Sequence, residues 1–148
     1  MMPDNPDNTG TIELEIFIAL PREEVFRYLV EPALMARWIG LAHQLEPSPG
    51  GRFRVDMGDG NIASGRYVEV VPSRRVAFTW GWESRDPDLS VLPPGASLVE
   101  VDLQAEDRGT LLRLRHSRLP NDLAGRHGER WSLYLAELQN VAANRASR

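Results

Sequence analysis

The chain has 148 residues, 42% hydrophobic and 26% charged, with a formal net charge of -4, which suits one globular domain built on a single apolar core. An acidic balance with no run of five basic residues argues against a nucleic-acid surface, which needs cationic excess to neutralise phosphate. The lack of cysteine excludes a disulfide framework, a thiolate metal site and a cysteine nucleophile.

In chain order, residues 1–10, "MMPDNPDNTG", read as a disordered or extended leader, without the basic start and apolar stretch of a secretory signal. With no apolar run long enough to span a bilayer, a cytoplasmic location is the default expectation, and residues 11–148 form the single domain. "TIELEIFI" sets Ile12, Leu14, Ile16 and Ile18 against Glu13, Glu15 and Phe17, the period of a half-buried strand. "ALPREEVFRYLV" follows as a helix, with Pro21 suited to its first position and Val25, Phe26, Leu29 and Val30 as its apolar stripe. "EPALMARWIG" predicts a second short helix presenting Leu34, Met35 and Trp38 and stopping at Gly40. "HQLEPSPGG" reads as loop.

From Gly51 the period is two. Phe53, Val55 and Met57 face one way, Asp59-Gly60 marks a hairpin turn, and "IASGRYVEVV" returns, its inward face open because both sides are mixed. In "RVAFTWGWE" the side chains of Phe78, Trp80 and Trp82 point to one side. That aromatic face belongs either to a close-packed core or to the wall of a pocket. Residues 84–96, with Leu89, Val91 and Leu92 among prolines, are long for a hairpin connection, and a lid, a dimer contact and plain surface packing all fit them. Val99, Val101 and Leu103 then alternate in a strand that turns through Asp107–Gly109 into one where Leu112, Leu114 and His116 share a face. The final segment predicts a long helix capped by Asn121 or Asp122, with His127, Trp131, Tyr134, Leu138 and Val141 on one side. Gly125 and Gly128 inside it imply either close backbone approach or an irregular start. The expected fold is α+β: a curved antiparallel sheet of about six strands wrapped around the C-terminal helix, with two short helices after the first strand.

The segments "EEVFRYLVEPALMARWIG", "GGRFRVDM", "GRYVEVVPSRRVAFTWGW", "LRLRHSRLP" and "HGERWSLYLAELQNV", in this order, resemble the homologues of the C-terminal domain of the heat-shock-protein-90 ATPase activator. That family lies within the START-like, birch-pollen-allergen-like (SRPBCC) superfamily, and the resemblance runs from Thr11 to about Asn144. It implies a helix-grip fold enclosing an apolar cavity between the sheet and the last helix. It places Trp38, Phe53, Met57, Phe78, Trp80, Leu112, His116, Trp131 and Tyr134 around that space, and His127, four residues before Trp131, faces the same way. Where the family usually has glycine before the helix tryptophan, this chain has Arg130.

Three functions follow as expectations. The first is binding of a small hydrophobic or amphipathic molecule in the cavity. The second is a chaperone-associated interaction module, and the third a polyketide cyclase-like enzyme using pocket polar groups. A homodimer and a chaperone contact are further possible partnerships. No complete catalytic constellation, metal-ligand motif or cofactor fingerprint is legible, and His116, on a strand face shared with Leu112 and Leu114, fits a satisfied core histidine better than a catalyst.

Overall fold

In the computed structural model, which describes residues 9–146, seven strands pair in the order β1-β7-β6-β5-β4-β3-β2. They are β1 (Thr9–Ile18), β2 (Ala42–Leu45), β3 (Arg52–Asp56), β4 (Ile62–Val71), β5 (Arg75–Glu83), β6 (Ser97–Glu106) and β7 (Gly109–Pro120). Helices α1 (Arg22–Val30) and α2 (Pro32–Met35) follow β1, α3 (Pro87–Ser90) lies between β5 and β6, and α4 (Asn121–Ala146) closes the chain. All neighbouring strands are antiparallel. This is the helix-grip arrangement, a curved sheet held against one long helix. No described helix is long and apolar enough to cross a membrane.

The alternation in β1 does the expected sorting: Ile12 and Ile18 are buried, while Glu13 and Glu15 stand outside, paired with Arg115 and Arg113 of β7. The first eight residues of the expected leader lie outside the described residues; Thr9 and Gly10 belong to β1, opposite Pro120 and Leu119. Pro21 sits one position before its expected place, capping α1 and offering its carbonyl to Glu24 and Val25. Tyr28 joins Val25 and Leu29 on the buried face. The second helix is shorter than expected, although its turn continues through the Trp38 and Ile39 amides, both bonded to Met35. Gly40, at φ +77, ends it where a Cβ would overlap Val55.

Two strand expectations change. β2 takes in His43 to Leu45, the start of the stretch expected as loop, together with Ala42, so the sheet has seven strands, one more than expected. This edge strand has little intrinsic strand preference and is held by its ladder to β3, from Ala42↔Asp56 to Leu45↔Phe53. The ambiguous face of β4 is resolved by an irregularity in register between Tyr67 and Glu69. Ala63 and Tyr67 point inward before it, Val70 packs on the core after it, and Val68 and Glu69 are exposed. Glu69 there joins Glu100 and Asp102 around the Arg75 guanidinium.

α4 is continuous from Asn121, so Gly125 and Gly128 mark no irregular start. Nor do they permit close approach: a Cβ on Gly125 would meet nothing within 4 Å, and one on Gly128 would touch Ile12 at 3.8 Å, an ordinary contact. Its buried stripe runs Leu123, His127, Trp131, Leu135, Leu138 and Ala142, the three-and-four spacing of a helix laid on a sheet.

Candidate functional site

Alternation in β5 delivers Phe78, Trp80 and Trp82 to the face that looks at α4, and the rings form one continuous file. Phe78 stacks on Phe53 at 3.9 Å between centroids, Trp80 meets Trp131 of α4 at 5.2 Å, and Trp82 lies edge-on to both Trp80 (5.4 Å) and His127 (5.9 Å). Along this file the interior changes from solid to hollow. At the inner end Trp38, Phe53, Phe78, Leu112 and one side of Trp131 surround a void of about 10 Å³, at the lower limit for one water molecule. At the outer end a pocket of about 310 Å³ opens between β5, the β3–β4 turn, α3 and α4.

Met57, Trp80, His127, Trp131 and Tyr134 of the expected residues line that pocket, together with Trp82, Leu89 and a rim of Asp59, Asp86, Arg126 and Arg130. Trp38, Phe53, Phe78 and Leu112 are placed instead around the packed end, because flat stacking of Phe53 on Phe78 leaves no gap between them. His116 lines neither space. It lies beneath Trp131, fully buried, and its role is read from its hydrogen bonds.

Those bonds form two relays. The Trp131 indole N–H donates to His116 Nδ1 at 2.9 Å, so the imidazole proton lies on Nε2 and points to Ser97 Oγ at 2.8 Å; the hydroxyl donates in turn to the Trp80 carbonyl at 2.6 Å. In the second, the Trp82 N–H donates to His127 Nε2 at 3.1 Å while Nδ1–H donates to the Leu123 carbonyl at 3.1 Å. Each imidazole is neutral and uses both nitrogens within the protein. Burial, seconded by the neighbouring His127, lowers the His116 pKa to about 3, and burial lowers that of His127 as well. Neither ring keeps a free nitrogen for a substrate proton.

Two buried side-chain groups among the described residues are left without a partner, the Tyr67 hydroxyl and one indole N–H. The N–H groups of Trp38, Trp82 and Trp131 all have acceptors, the first in the Tyr28 carbonyl at 2.9 Å. The Trp80 N–H, in a residue only 2% exposed, has none.

The long connection after β5 is tied down on both sides of the pocket. Asp86 caps α3 by accepting the Asp88 N–H, Asp88 pairs with Arg126 of α4 at 3.4 Å, Leu92 is buried, and its carbonyl accepts the Trp82 N–H of the backbone at 2.8 Å. Leu89 thus roofs part of the pocket while Val91 remains exposed. A larger hollow of about 610 Å³ lies on the opposite face of the sheet, among Arg52, Arg54, Arg66, Thr79 and Glu83. It is open and charged, with Arg54 clamped on Glu83 through two bonds of 2.9 and 3.0 Å, and lacks the apolar walls of a small-molecule site. Among the described residues no group of three or more histidines and carboxylates could hold a metal ion.

The family described as activator of Hsp90 ATPase homolog 1-like protein matches residues 19–143. None of the curated proteins matches the chain. Among solved structures, the solution structure of the AHSA1-like protein RHE_CH02687 from Rhizobium etli is 38% identical, covering 91% of this chain and 82% of that one, with a TM-score of 0.70. The crystal structure of MLL2253 from Mesorhizobium loti superimposes with a TM-score of 0.80 at 23% identity, over 91% of this chain and 98% of that one. The Aha1 protein of Colwellia psychrerythraea, described in solution as a dimer, has the same fold at 16% identity and a TM-score of 0.74, over 90% of this chain and 96% of that one.

Proposed function

The chain belongs to the activator of Hsp90 ATPase homolog 1-like family, and we propose that it binds a small apolar or amphipathic molecule in the pocket between the outer end of β5 and α4. One observation carries this: the file of aromatic rings, close-packed at Phe53 and Phe78, parts at Trp80, Trp82, Trp131 and Tyr134 to leave about 310 Å³. The walls are aromatic, from Trp80, Trp82, Trp131 and Tyr134, and the rest of the lining is largely polar and charged, so apolar bulk and orienting polar groups meet in one site. The neutral, fully bonded histidines beneath Trp131 and Trp82 support the same use, since they hold the indole planes in fixed orientations. A thermal-shift screen of apolar metabolites, with native mass spectrometry on the hits, tests the proposal. Stabilisation with a one-to-one complex supports it, and no stabilisation by any member of the panel counts against it.

A second reading rests on the family's description: contact with a chaperone ATPase. Its test is independent of the pocket, since recovery of the chaperone on the immobilised domain and stimulation of its ATPase would support it, and failure of both would remove it. A homodimer, the state described for the Colwellia relative, and a cytoplasmic location complete the proposal.

A further inference from the structure

On the face of the sheet turned away from α4, charges are matched from strand to strand. Glu13 and Glu15 of β1 stand opposite Arg115 and Arg113 of β7, the same two arginines stand opposite Glu100 and Asp102 of β6, and Arg75 of β5 gathers Glu69, Glu100 and Asp102. One pair breaks the pattern. Arg52 of β3 lies directly opposite Arg66 of β4, both exposed, and like charges so placed destabilise a sheet. Among the described residues no carboxylate lies within ion-pair distance of either guanidinium. Glu83 is held by Arg54, Glu46 accepts the Arg52 backbone N–H at 2.8 Å, and Arg66 donates one N–H to the Gly50 carbonyl at 3.0 Å. A conflict of this kind, on a surface otherwise matched, marks a functional position.

Both arginines line the open hollow of about 610 Å³, with Arg54 and Glu83 beside them, three guanidinium groups to one carboxylate. The excess charge calls for an anion, and the face already shows which kind it suits: Arg54, Arg75 and Arg113 each hold a carboxylate at hydrogen-bond distance. From Gln44 of β2 to Thr79 and Glu83 of β5 the hollow crosses three strand spacings, about 14 Å, which is the reach of about four residues of extended chain. Its walls enclose no apolar space for a small molecule, and the net charge of -4 works against duplex nucleic acid. We infer that this hollow docks an extended acidic segment of a partner protein, one of whose carboxylates bridges the guanidinium groups of Arg52 and Arg66. The site and the aromatic pocket lie on opposite faces of the sheet, so no outcome of its test bears on the pocket reading.

Fluorescein-labelled hexaglutamate and its neutral counterpart hexaglutamine, titrated with the intact protein by fluorescence anisotropy, test the inference. Hexaglutamate is expected to bind, more weakly as salt is added, and hexaglutamine is not. Arg52→Gln and Arg66→Gln are each expected to weaken binding about fivefold, whereas Arg113→Gln, an equal loss of charge on the same face, leaves it unchanged. Arg66→Glu sets opposite charges across β3 and β4, and is expected to abolish binding while raising the melting temperature by about 2 °C. Equal binding of the two peptides, or a loss with Arg113→Gln as large as with Arg66→Gln, overturns the inference. Inorganic tripolyphosphate that displaces the labelled peptide at lower concentration than unlabelled hexaglutamate overturns it in favour of a phosphate ligand. A lower melting temperature for Arg66→Glu removes the like-charge conflict on which it stands.

Discussion

Trp131 Nε1 donates to His116 Nδ1 at 2.9 Å, joining α4 to β7 through the centre of the molecule. The bond orients the ring that divides the solid core from the pocket and fixes the tautomer of a fully buried imidazole. Trp131→Phe removes the donor and part of the ring together. It is expected to destabilise the protein by roughly 3 kcal/mol, combining a cavity with an unsatisfied buried acceptor. Urea unfolding at pH 7 measures this, and a loss below about 1 kcal/mol would show that the relay matters little.

The burial of that imidazole predicts a pH dependence. An unfolded histidine takes up a proton near its ordinary pKa of 6.5, whereas folded His116 resists protonation down to about 3. Between those values the unfolded chain binds more protons, so the contribution is complete above 6.5 and falls as the pH is lowered. The slope reaches about 1.4 kcal/mol per pH unit for one such group, and His127 acts in the same direction. Unfolding of the unaltered protein and of His116→Gln is expected to show a stability gap that narrows from pH 7 to pH 4. A constant gap would contradict the assignment.

Two glycines separate propensity from packing. Gly125 is helical, exposed and free of neighbours within 4 Å, so Gly125→Ala is expected to stabilise by about 1 kcal/mol. A Cβ on Gly81 would overlap the Pro93 carbonyl where the connection after α3 crosses β5. Gly81→Ala is therefore expected to destabilise by about 2 kcal/mol. Melting temperatures moving in opposite directions confirm the pair.

These glycines also mark how far the sequence alone reaches. Ile12 to Ile18, the alternation at Phe78, Trp80 and Trp82, and the stripe on α4 were legible because period and side-chain direction follow from backbone geometry. β2 was not, because Ala42 to Leu45 form a strand through pairing with β3 and not through their own preference. The inward face of β4 was hidden by the register shift after Tyr67, which reverses the alternation mid-strand. In the pocket, the sequence placed aromatic residues on the right face but could not tell Phe53 stacked flat on Phe78 from Trp80 and Trp82 held edge to face. That difference in ring angle decides where the interior is solid. Trp82 belongs to the pocket wall, and its partnership with His127 spans 45 residues.

The central claim is that the hollow between β5 and α4 is a binding site, and the indole N–H resonances of the four tryptophans test it most directly. Titration with an apolar or amphipathic compound that stabilises the protein in the thermal-shift screen should shift Trp80, Trp82 and Trp131, which line the pocket, and leave Trp38, bonded to the Tyr28 carbonyl in the packed interior, unmoved. Shifts confined to Trp38, or no shift in any of the four at saturating probe, would contradict it.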